Sequence, residues 1–184
     1  MTGQTVWRNL FHFSGIVIPL ACLFLGKAAA VALSAVLFSA SVVVEVLRIR
    51  GRLRLTFLEK NIKEKERKVP TGSFFFLLGA MATLALFSER AAVPALFILA
   101  VSDPLSSLVG RHFGKTRFLG KSLEGTCAFF LSSLAVLLFF SLSLSHILLV
   151  ALAATAAELF TIKPLDDNVS IPIVSAAVLT LLVR

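Results

Sequence analysis

The chain has 184 residues, is 58% hydrophobic and carries a formal net charge of +8. A soluble domain of this length has too small an interior to hide so much apolar surface, so lipid is the expected solvent. The positive charge taken alone would admit a nucleic-acid binder. The cations lie between apolar runs, however, where they suit anionic headgroups, phosphates and membrane topology, and no nucleic acid is expected.

Seven apolar runs follow in chain order, at 10–26, 28–47, 72–88, 91–109, 126–142, 145–160 and 169–183. A span needs about 20 residues, with about 17 as a lower limit, so the sixth and seventh are short. Runs of this length are helices, not barrel strands. The expected fold is all-α: a polytopic transmembrane helix bundle of about seven spans, forming one integral membrane domain over 1–184. Arg8, an apolar run and Ala28-Ala29-Ala30 imitate a signal peptide, but a second run follows almost at once, so both read as retained spans. Cys22 and Cys127 sit in apolar stretches and read as packing residues. With seven spans, fifteen of the eighteen Lys and Arg residues fall on one side, and Lys27, Arg90 and Arg184 on the other. The positive-inside rule makes the first side cytoplasmic, with the N-terminus in.

That side holds three segments of interest. In the basic loop 48–70, Arg48, Arg50, Arg52 and Arg54 alternate with Ile49, Gly51, Leu53 and Leu55, and a mixed-charge stretch from Glu59 to Lys68 follows. It reads as a solvated helix resting on anionic lipid, or as a lid. Three carboxylates, Glu45, Asp103 and Glu158, fall within apolar runs near their cytoplasmic ends, where a buried charge implies a function or a partner. Glu45 has Arg48 three residues on, an ion-pair spacing. Asp103 precedes Pro104, which disfavours helix at Asp103 and predicts a break at Ser102-Asp103-Pro104, with Ser106 and Ser107 as polar lining.

Segment 102–125 continues through Gly110-Arg111-His112-Phe113-Gly114-Lys115-Thr116 to Gly120-Lys121-Ser122-Leu123-Glu124-Gly125. It is not a P-loop, because the glycines enclose three or five residues, not four, and an apolar helix precedes them. Glycine and lysine still suit a phosphate, and Lys121-Ser122 lies near a helix N-terminus, a natural anion site. Segment 158–168 runs from Glu158 past Lys163-Pro164 to Asp166-Asp167-Asn168, which reads as hard oxygen ligands for Mg²⁺ or as a turn and helix cap. His12, one turn after Arg8, is an interfacial neighbour of it or a contact to phosphate or alcohol.

The run from Ser102 to Lys115, continuing through Lys121-Ser122-Leu123-Glu124-Gly125, resembles the CTP-binding signature of the dolichol kinase and phytol kinase family, which includes a CTP-dependent diacylglycerol kinase. Arg8-Asn9-Leu10-Phe11-His12 with Gly15, Glu45 with Arg48, and Glu158 with Asp167-Asn168 are similar too. Asn9 stands where a second basic residue is expected, and Pro104 where a small or polar one is common. The resemblance implies γ-phosphoryl transfer from CTP to a membrane lipid alcohol, an isoprenoid alcohol or diacylglycerol. It implies that Gly110, Arg111, Gly114, Lys115, Lys121, Ser122, Glu124 and Gly125 hold the nucleotide. Asp103 or Asp167 would hold Mg²⁺, and Asp103, Glu158 and Asp167 would be catalytic, Glu158 or Asp167 orienting or deprotonating the alcohol. Arg8, His12, Glu45, Arg48 and Asn168 would serve substrate or structure. A CTP:phospholipid cytidylyltransferase would need a denser acidic cluster. A small transporter with Asp103 on a broken helix would need midplane polar groups and an inverted repeat.

Overall fold

The structure, a computed structural model, describes residues 3–53, 69–160 and 166–183, with side chains from Asn9 onward. The side chain of Arg8, residues 54–68 of the basic loop, and Lys163 lie outside the described residues.

Each apolar run becomes helix, because in an apolar surrounding a helix pairs its backbone groups within one segment. The first run forms α1 (Gly3–Ser14) and α2 (Val17–Leu25), bent at Gly15, where an added Cβ would lie 2.2 Å from Phe76 Cζ. Then come α3 (Lys27–Ile49) and α4 (Gly72–Leu86). The fourth run is one rod: α5 (Glu89–Phe97), a π-helical turn over Ile98–Ser102, and α6 (Asp103–His112). A two-residue hairpin, β1 (Arg117–Phe118) and β2 (Lys121–Ser122), leads into α7 (Leu123–Leu137). The chain continues as α8 (Leu144–Leu159) and α9 (Asp167–Leu182).

The break expected at Ser102-Asp103-Pro104 is displaced. Asp103 is itself helical, with φ −63° and ψ −50°. The irregularity is the π-helical turn just before it. In a regular helix the ring of Pro104 would collide with the carbonyl four residues back; the wider turn makes room without ending the rod.

The α5–α6 rod is the centre of the bundle, packed by α1, α2, α4, α7 and α9. Outside it, α3 lies on α2 and α4, and α8 on α7 and α9. Ile98, Leu99, Ala100, Phe129, Leu137, Ile171 and Leu179 are fully buried. Small polar side chains are buried with them. Thr83, Thr155 and Ser175 donate to carbonyls four residues back, and Ser133 donates to Ser102. Large apolar side chains face outward, among them Phe24, Leu131, Phe139 and Leu181. Two helical stretches, Lys27–Ile49 and Glu89–His112, are long and apolar enough to cross a membrane; the other apolar helices are shorter.

Short connections alternate between two ends. Gly26, residues 87–88 and residues 138–143 lie at one end. The C-termini of α3, α6 and α8 and the N-termini of α4, α7 and α9 gather at the other, with α1 beside them.

Candidate functional site

At that second end the helices bring together ionisable residues far apart in the chain. Lys121, on β2, donates from Nζ to Glu158 Oε1 at 2.7 Å and to Asp167 Oδ2 at 3.0 Å. Glu158 comes from the last turn of α8 and is buried. Asp167 comes from the first turn of α9. Burial pulls the Lys121 ammonium pKa down, but the charges of Asp167 and Glu158 outweigh it, so the group titrates above the ordinary lysine value. Asp166 caps α9 by accepting from Asn168 N at 3.1 Å. Burial first, then the charge of Asp167, raises the Asp166 pKa.

A second pair adjoins this one. His12 Nδ1 lies 3.0 Å from Asp103 Oδ2, an ion-pair separation whose angle is not that of a hydrogen bond. The ring of His12 is 1% exposed and packs edge-on against Phe76, with centroids 5.0 Å apart. Asn9 lies three residues earlier on α1, a same-face spacing, and is buried too. Its Nδ2 and His12 Nε2 have no hydrogen-bond partner among the described residues. The charges of both Asp103 and Asp167 act on Glu158, so the two clusters form one polar region built from α1, α6, β2, α8 and α9.

The loop between α6 and α7 is shaped by packing. Gly110, Gly114 and Gly125 meet around Ser122. A Cβ on Gly114 would lie 2.1 Å from Gly110 O, and one on Gly125 would lie 2.9 Å from Ser106 O and 3.1 Å from Gly110 Cα. Helix contact therefore accounts for these three glycines without a ligand. Ser122 caps α7 by accepting from Gly125 N at 3.1 Å. Glu124 turns back on the loop, its Oε1 accepting from the backbone N–H of Lys115 and of Thr116. Arg111, Lys115 and Arg117 are exposed.

Glu45 and Arg48 stand apart. Glu45 Oε1 accepts from Thr71 N and Thr71 Oγ1, its Oε2 accepts from Arg48 Nε, and Arg48 also donates to Val69 O. The contacts make a clasp joining the end of α3 to the start of α4. Asn168 is fully buried where α9 meets α4: a Cβ on Gly79 would lie 2.2 Å from its backbone O.

Of the residues singled out in the sequence, His12, Asp103, Lys121, Glu158 and Asp167 thus share one region. Lys115 lies on the exposed loop beside it and Arg111 in the last turn of α6, and Glu45 and Arg48 are occupied elsewhere. Thr71, the partner of Glu45, had no signal beyond its place in a loop-ending Pro-Thr-Gly. The pairing of His12 with Asp103 had none either.

The class is an all-helical bundle with an apolar exterior and a polar region at one end. The chain is 31% identical over 180 residues to the uncharacterized protein RP860 of Rickettsia prowazekii, a match covering 90% of this chain and 88% of that one, and it belongs to the same family. It is also 29% identical over 122 residues to the uncharacterized protein MJ1137 of Methanocaldococcus jannaschii, covering 65% of this chain and 63% of that protein. A match of 29% identity over 140 residues to the CTP-dependent diacylglycerol kinase 1 of Schizosaccharomyces pombe covers 66% of this chain and 64% of the kinase. The chain thus spans somewhat less than two thirds of the last two proteins. No family model matches it, and no solved structure matches it.

Proposed function

We propose that this protein is a CTP-dependent kinase of a lipid alcohol, embedded in the membrane by about seven crossings, with its N-terminus and site on the cytoplasmic face. The observation that carries the reading is the half-buried Lys121–Glu158–Asp167 cluster, at the end of the bundle where the glycine- and lysine-bearing loop emerges. Similarity to a kinase that uses CTP and diacylglycerol supports the class. The exterior supports the membrane: Phe24, Leu131, Phe139 and Leu181 are 79%, 63%, 89% and 68% exposed, while Ser34, Thr83, Ser102, Ser133 and Ser175 are fully buried.

In this reading the lipid lies in the bilayer with its hydroxyl at the polar end, and the nucleotide enters from the cytosol. Phosphoryl transfer asks chiefly for positioning and charge neutralisation. The alcohol oxygen forms a bond to the γ-phosphorus, the bond from that phosphorus to the β,γ-bridging oxygen breaks, and CDP leaves. The alcohol proton passes to a carboxylate of the site, Glu158 or Asp167. An ammonium has three donors; Lys121 gives two to Glu158 and Asp167 and can turn the third to a phosphate oxygen. Lys115 from the loop and Arg111 from the last turn of α6 supply further positive charge. A Mg²⁺ ion held with substrate phosphates needs only one or two protein carboxylates. Asp167, with Asp166 beside it, fits that demand better than Asp103, which faces His12. No group of three candidate ligands exists among the described residues, so phosphates would complete the shell. Such an ion would neutralise charge on the triphosphate.

The test is transfer from labelled CTP by purified protein, with diacylglycerol, phytol and polyprenol as acceptors. Label from the γ-position should enter a chloroform-soluble monophosphate, and label from the α-position should not. Lipid labelled from the α-position, with pyrophosphate released, would make the protein a cytidylyltransferase instead.

A further inference from the structure

The hairpin between α6 and α7 breaks the usual rule for its own turn. Phe118 pairs with Lys121, leaving a loop of two residues, Leu119 and Gly120. Both have positive φ, 49° and 82°. Two-residue turns of this kind select Asn-Gly or Asp-Gly, since the first position is sterically poor for a bulky side chain and faces water. Here that position holds leucine, 55% exposed, next to Phe118, 53% exposed. Phe113 and Leu123, at the two bases of the loop, are 68% and 49% exposed. An unfavourable backbone conformation that displays an apolar side chain points to a surrounding the isolated chain does not provide.

Charge indicates what that surrounding is. Arg117, just before Phe118, is exposed, as is Lys115 two residues earlier. Apolar side chains at a tip with cations beside them match the boundary between anionic headgroups and acyl chains. The patch also continues at Leu123 into the apolar exterior of α7, where Leu131 is 63% exposed.

We propose that Phe118 and Leu119 form an interfacial anchor that dips into the anionic leaflet at the polar end of the bundle, with Arg117 on the lipid headgroups. The proposal rests on the membrane reading above but not on the kinase reaction. Its consequence is that the loop bearing Lys121 lies against the bilayer surface, where a membrane-borne acceptor arrives.

Trp7 is the single tryptophan, so a Trp7→Phe background allows one reporter at a time. Leu119→Trp, Phe118→Trp and Leu131→Trp are reconstituted separately in vesicles of phosphatidylcholine and phosphatidylglycerol, with plain or brominated acyl chains. Phe118→Trp avoids the positive-φ position and covers the case in which Leu119→Trp disturbs the turn. Emission at 118 and 119 should fall roughly two-fold with brominated lipid, as expected for side chains reaching the acyl boundary. The fall should weaken when phosphatidylglycerol is omitted. Position 131 should be quenched with or without it. Quenching at 131 alone overturns the anchor and leaves the membrane reading standing; quenching at none of the three removes both. Emission at 118 and 119 that ignores brominated lipid but responds to CTP assigns the tip to the nucleotide and overturns the proposal. Equal quenching in neutral and anionic vesicles overturns the role of Arg117.

Discussion

Replacing Lys121 with methionine keeps an unbranched side chain one atom shorter and removes its charge. Glu158, with a side chain 4% exposed, then faces Asp167, 18% exposed, with no ammonium between them. Removing one member of a buried ion pair costs about 3–5 kcal/mol, because the other member stays buried and uncompensated. Lys121 is itself 27% exposed, which places the loss toward the lower end, about 3 kcal/mol. For a chain of this size 1 kcal/mol moves the thermal midpoint by about 2–4 °C, so Lys121→Met should melt roughly 6–12 °C lower in detergent at pH 7.5. The pH dependence has a definite sign. The Lys121 pKa is raised in the folded protein, so its stabilisation is complete below the ordinary lysine value near ~10.4 and is lost as pH rises through the raised value. The gap between wild type and variant should therefore persist from neutrality to about that pH and narrow above it. Adding Glu158→Gln to Lys121→Met should cost less than the sum of the two single changes, since the second removes the charge that the first exposed. A midpoint within about 2 °C of wild type at pH 7.5 would refute the claim that this contact is a buried, mutually dependent cluster.

Asp166→Asn keeps a good helix cap and removes a carboxylate whose pKa is raised by burial and by Asp167, so ionised Asp166 opposes folding above that pKa. The thermal midpoint at pH 7.5 should rise by roughly 1–3 °C, with the advantage fading as pH falls through that pKa; a lower midpoint contradicts the account. Gly114→Ala would place a Cβ 2.1 Å from a backbone oxygen, an overpacking cost of about 1–3 kcal/mol, whereas Gly120→Ala meets nothing but carries φ +82°, about 1 kcal/mol. Melting should rank Gly114→Ala below Gly120→Ala, and the reverse order would show that the glycines near Ser122 are not there for packing.

The seven apolar runs were legible as helix because a long apolar run has few ways to satisfy its backbone. Their ends were less so. The apolar run at 126 is preceded by three helical residues, since Ser122 caps α7 and lets it start at Leu123. In the same way Asp166 starts α9 before its apolar run. α1 reaches back to Gly3 through residues too polar to count as apolar. The irregular turn near Asp103 was expected from Pro104 but misplaced, because the local preference of the residue before proline was overridden by a rod packed on several sides.

In the site, composition marked the residues but not their partners. A carboxylate in an apolar run stands out on its own, whereas Lys121 is 37 and 46 residues from the groups it holds, and only folding joins them. The glycine and lysine signal in segment 102–125 combined two different things. Gly110, Gly114 and Gly125 let α6 and α7 approach around Ser122, a matter of packing. Lys115 and Arg117 are exposed and take no part in that packing. The part of the signal left for a ligand is therefore the cations. A triphosphate approaching Glu158, Asp166 and Asp167 meets charges of its own sign, so its binding depends on positive charge brought from the loop or by a divalent ion. Under the proposed function, the cations of the α6–α7 loop and the carboxylates beside it act as two halves of one site, each incomplete for a phosphate without the other.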